Sequence, residues 1–151
     1  MRDGRFVAEH RGGPLSLDEH RLLMRWACEC AGHVLRWYGA KIDGRLRDAL
    51  RVAADWRRGK TSVGEARAAS MRAIIAAREA STPSAIAVAR AAGHAVATAH
   101  MADHALGAAR YALKAVKSAG RSPEAERRWQ DDRLPPAIRD LVLTARERRN
   151  V

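Results

Sequence analysis

The chain reads as all-α, a single compact domain of six or seven antiparallel helices, and three observations say so. Apolar residues recur at spacings of three and four along most of its 151 residues, the period of a helix with one buried face. Helix-starting strings recur along it, "SLDE", "SVGE", "STP", "SPE" and "PP", each supplying a capping side chain or a proline suited to a first turn. Alternating β-branched or aromatic runs, the mark of strands, are missing from the sequence.

Residues 1–15 mix charges with Gly12-Gly13-Pro14, which neither helix nor strand favours, so a flexible N-terminal tail is expected before a helical domain over 16–151. Ser16 to Glu19 is a capping box. Leu23, Trp26, Ala27, Cys30, Val34, Trp37 and Tyr38 then form one apolar stripe that runs to Gly39. A second helix is expected from Asp43 to Arg58, with Leu46, Ala49, Leu50, Ala53 and Trp56 inward and Gly59 as its stop. Ser62 to Glu65 opens a third that reaches Ala80, with Ala66, Ala69, Ala73, Ile74 and Ala77 inward.

Thr82 and Pro83 suit the start of a fourth segment, Ser84 to Ala119. As one helix it would be roughly 54 Å long at 1.5 Å per residue. A domain of this size has a radius of gyration near ~15 Å. The long Ala-rich central helix is therefore expected to kink near Gly93. Ser122-Pro123-Glu124 starts a short helix with Trp129, and Pro135-Pro136 starts a last one with Ile138, Leu141, Val142 and Ala145 inward.

Alanine dominates the 47% hydrophobic fraction, with a single phenylalanine, so the core depends on close helix approach around few large side chains. Trp26, Trp37, Trp56 and Trp129 are the expected anchors. The net charge of +11 would attract a phosphate backbone if it were clustered. The excess is instead spread along the chain, in runs such as "RLRDALR" and "TARERRN" where acids punctuate the bases, the pattern of solvated helix faces. Cys28 and Cys30, the two cysteines, point about 200° apart on a helix and read as reduced core thiols. No signal-peptide run or membrane-length apolar segment is visible, and a cytoplasmic location is expected.

The stretch with the most chemistry is "GHAVATAHMADHALGAARYALKA", Gly93 to Ala115. On one continuous helical wheel, His100, Asp103, His104, Gly107 and Tyr111 share a strip about 100° wide. His94 falls about 80° from His104 on the apolar side, so the three histidines are not expected to converge. His100 and His104 have the i,i+4 spacing of a metal pair, but Met101 stands where "HExxH" needs glutamate. No third ligand is fixed by spacing, so no metal or cofactor is assigned. Nor is any catalytic residue, since no serine or cysteine nucleophile has a diagnostic setting. The polar strip is read as a partner-binding or structural surface.

Three segments, "AADWRRGKTSVGEARAAS", "ARAAGHAVATAHMADHALGAARYALKA" and "RWQDDRLPPAIRDLV", occur in that order. They resemble the immunity-protein-five-like family of bacterial polymorphic toxin systems over about Ser16 to Arg148. That resemblance implies an all-helical protein that binds and neutralises a cognate toxin without chemistry of its own, and the chain's positive charge suggests either a toxin with an acidic surface or one whose catalytic site is not blocked by phosphate mimicry. Two other readings stand beside it: a basic helical nucleic-acid-binding protein, and a metal-dependent enzyme using His100 and His104.

Overall fold

Helices start where the capping residues sit. The computed structural model describes residues 2–150. Among them it contains seven α-helices: α1 Leu17–His33, α2 Gly44–Arg57, α3 Val63–Glu79, α4 Pro83–Ala97, α5 His104–Ser118, α6 Pro123–Asp132 and α7 Pro136–Arg149. Ser16 and Glu19 make the full reciprocal capping box on α1. Asp43, Ser62, Thr82 and Ser122 each accept a backbone N–H at the starts of α2, α3, α4 and α6, contacts worth about 1 kcal/mol apiece. Gly59 and Gly120 follow α2 and α5 with φ of 74° and 76°, the left-handed conformation that ends a helix at low cost for glycine.

The Ala-rich α4 is the central helix. Ten of its fifteen residues are buried, and α5, α3, α2 and α1 all pack on it. A helix with four neighbours must be apolar over most of its surface, and alanines let those neighbours come close; Arg90 marks the side left to solvent. Large side chains are spent mostly on the opposite wall, where Phe6, Leu15, Leu23, Trp26, Val34 and Ile138 are fully or almost fully buried. A smaller cluster joins Met24, Ala49, Ala66, Ala73 and Val96 between α1, α2, α3 and α4.

Two expectations change. The segment before Ser16, expected as a flexible tail, lies against the core: Phe6 is fully buried and Leu15 nearly so. Backbone bonds from Glu9 to Leu15 and from Leu15 to Val7 close it into a loop, and Arg5 donates to the Thr144 hydroxyl of α7. A Cβ at Gly13 would stand 2.0 Å from the Val7 carbonyl oxygen, so glycine here permits a tight closure. Burying the chain's one phenylalanine, worth about 2 to 3 kcal/mol, fixes a segment whose glycines alone suggest looseness.

The second change is the break in the central rod. It lies at residues 98–103, not near Gly93, and it is a full turn, so that α5 folds back on α4. Gly93 is buried inside α4 and its carbonyl accepts a bond from the Ser70 hydroxyl of α3. A long-range contact sits at the break: the His20 Nε2 of α1 donates to the Thr98 carbonyl at 2.6 Å. In a continuing helix that carbonyl would accept from residue 102. The Thr98 hydroxyl meanwhile donates back to the His94 carbonyl, a local bond that competes with helix propagation.

Candidate functional site

Because α5 doubles back, residues that a single wheel keeps apart meet. The Nδ1 atoms of His94 and His104 lie 3.2 Å apart, a hydrogen bond in which one ring donates and the other accepts. Ring centroids are 5.1 Å apart for His94 and His104, 5.2 Å for His100 and His104, and 5.0 Å for His94 and Tyr111. The three histidines therefore do converge, contrary to the wheel, around His104 at the first position of α5. Gly107 explains how they fit: a Cβ there would stand 2.5 Å from His94 Nδ1. The glycine leaves the space that the His94 ring occupies.

Asp103 lies on the strip but does not bond the histidines. Its carboxylate pairs with Arg149 of α7 at 3.7 Å, and His100 Nδ1 is buried with no hydrogen-bond partner. Burial is the main force on all three rings, holding His94 and His100 down to about 4 and His104 below the usual imidazole value. Charge on His104 adds to the effect on both others, as do Arg110 and Arg90 for His94 and Arg67 and Arg11 for His100. The rings are thus neutral at pH 7, and each can both donate and accept.

His94 and His104 form a wall between two cavities. One, of about 330 Å³, opens toward Asp103, Arg110 and Arg149. The other, of about 360 Å³, opens toward α3 and is lined by Arg67, Met71, Ile74, Gly93, Ala97 and His100. The apolar period of α3 marks its inward alanines and does not point to this outer face. A separate mark does: Met71 and Ile75, one turn apart on the outer face, are 56% and 42% exposed, and large apolar residues on the solvent side of an amphipathic helix call for a reason.

The tryptophans occupy unlike places. Trp26 is fully buried and its indole N–H donates to the Gln130 carbonyl. Trp56 packs at 4.8 Å on His20, and Trp129 stacks at 3.6 Å on His33, which bonds Glu126. Trp37 lies against the guanidinium groups of Arg36 and Arg121. All three are partly buried. The cysteines do not offer a thiolate: burial pushes Cys28 up to about 12 and Cys30 well above its ordinary value. Among the described residues, no group of three or more His, Cys, Asp or Glu side chains is placed to hold a metal ion. No helix there is long and apolar enough to cross a membrane.

What the geometry presents is a scaffold with neutral hydrogen-bonding rings beside an apolar opening. Residues 13–137 match the family model described as Imm-5 like putative immunity protein. The chain belongs to this family. No curated protein and no solved structure matches it. The Imm-5 like match takes in α1 through α6, and so includes the whole histidine cluster and the α3 face beside it. It ends in the first turn of α7, so Arg146 and Arg149 lie beyond it.

Proposed function

We propose that this protein binds a cognate bacterial toxin in the cytoplasm and neutralises it by occupancy, with no reaction of its own. The observation that carries the reading is the Imm-5 like family match over residues 13–137. The chain's physical character supports it. A binder needs a rigid frame and an accessible patch, and here capped helices enclose an alanine core while Met71 and Ile75 stand exposed. The net charge of +11 favours a toxin with an acidic contact surface, because complementary potentials speed encounter and exclude partners of like charge.

Co-expression with a toxin domain, sought first in the neighbouring reading frame, tests this directly. The expected outcome is restored growth and a stoichiometric complex that weakens sharply as salt rises from about 0.1 M toward 1 M, where screening shortens to about 3 Å. Toxicity undiminished by the protein, with no complex at low salt, would overturn the reading.

A further inference from the structure

We propose that the α3 side of the histidine cluster is the toxin-docking surface, an apolar socket with a basic rim that receives an apolar side chain from an acidic segment of the toxin. This rests on the immunity reading and names the site within it. Four observations on one face carry it. Met71 and Ile75 are exposed large apolar residues one helical turn apart, and Met71 lines the cavity of about 360 Å³. That cavity is floored by Ile74, Gly93 and Ala97, groups with little to offer water.

His100, on the same cavity, supplies the third observation: a buried Nδ1 without a partner. Such an atom is uncommon in a folded chain, and the ring that carries it lines the cavity the partner would enter. The fourth is charge. Arg67 lines the cavity and is exposed, and Arg11, also exposed, adds positive potential at His100. Neither forms an ion pair among the described residues, whereas Arg72 on the same helix is matched by Asp48. An apolar anchor among contacts that exclude water, with unmatched cations beside it, is how a few residues come to dominate an interface with an acidic partner.

The choice of a toxin over a second copy follows from the same charges. Two faces that each carry unmatched arginines repel across a symmetric contact.

The test uses the full chain and the purified toxin domain that the co-expression experiment identifies, with dissociation constants measured by calorimetry. Met71→Glu alters an exposed residue, so the fold is expected to stay intact, checked by circular dichroism. It should weaken the complex by about thirtyfold or more, as loss of a central anchor does. Arg67→Glu should weaken it by about tenfold and flatten its salt dependence. Met71→Leu should bind within about threefold of the native chain, because shape and apolarity are kept. Arg121→Glu, beside Trp37 on another face, should leave binding unchanged.

A native complex that Met71→Glu and Arg67→Glu leave intact overturns the docking site while the immunity reading stands. Loss of binding in Arg121→Glu alone would move the interface to the Trp37 face. A native chain that does not bind the toxin domain overturns both readings. A concentration-dependent dimer of the native chain, abolished by Met71→Glu, would assign the surface to a second copy instead.

Discussion

Arg146, on α7, and the histidines, where α4 turns into α5, are both polar groups set into an apolar interior, and the chain treats them differently. The Arg146 side chain is fully enclosed, yet it donates to Asp131 at 2.9 Å and to Gln130 at 2.6 Å, and it packs over Trp26. Gln130 in turn donates to the Ala109 carbonyl of α5, and its own carbonyl accepts from Trp26. That network ties α1, α5, α6 and α7 together. The histidine cluster has fewer bonds than its rings can make, an orphaned nitrogen on His100 and a cavity on each side of the wall. A satisfied network specifies one arrangement of helices; an incompletely satisfied one beside open space is suited to a visitor.

Replacing Arg146 should give the largest effect. Arg146→Ala removes a buried cation and leaves Gln130 and Asp131 without their partner, so the unfolding free energy in urea should fall by about 3 kcal/mol. A loss below about 1 kcal/mol would mean that α7 is held by apolar contacts alone.

Acid should act on the other region. His94 and His100 have folded values of about 4 against an ordinary 6.5, so between those limits the unfolded chain binds more protons than the folded one. Stability from these groups is therefore complete above pH 6.5 and is lost as pH falls toward 4. After discounting for their partial exposure, the loss by pH 4.5 should be about 2 kcal/mol. Thermal unfolding at a series of pH values checks this, and His100→Gln should make the slope shallower. A flat profile from pH 7 to pH 4.5 would remove the histidines from the stability account.

Two glycines sharpen the contrast further. Gly107→Ala pushes a methyl against the His94 ring, and should cost about 1 to 2 kcal/mol even after the gain in helix propensity. Gly93→Ala meets only ordinary contacts and should be neutral or stabilising by up to about 1 kcal/mol. Circular dichroism melts of the pair decide it. The reverse order would mean that the small-residue surface at Gly93, and not the space beside Gly107, governs this region.

Much of the architecture was legible locally. Ser16, Asp43, Ser62, Thr82 and Ser122 announce helix starts through side-chain oxygens that reach their own backbone, and a window of four residues contains the whole cause. The inward positions of α1 and α7 follow from period alone, and Leu23, Trp26, Ala27, Cys30, Ile138 and Val142 are all buried. The break at 98–103 was not legible. The residues at the turn include neither glycine nor proline, and the contact that takes up the Thr98 carbonyl comes from His20, 78 residues away. The convergence of His94 with His104 depends on that turn, so a wheel drawn through it had to miss the cluster. Phe6 shows the same limit at the N-terminus, where burial in a distant core outweighs a local string of Gly12-Gly13-Pro14.

Hydrogen exchange on the native chain, alone and with a cognate toxin domain, tests the division of labour most directly. Protection gained on binding should concentrate in residues 67–78 and 97–107, with α6 and α7 unchanged because their slow exchange belongs to the fold already. Protection confined to α6, α7 or the Trp37 face, with none at α3, would contradict the account.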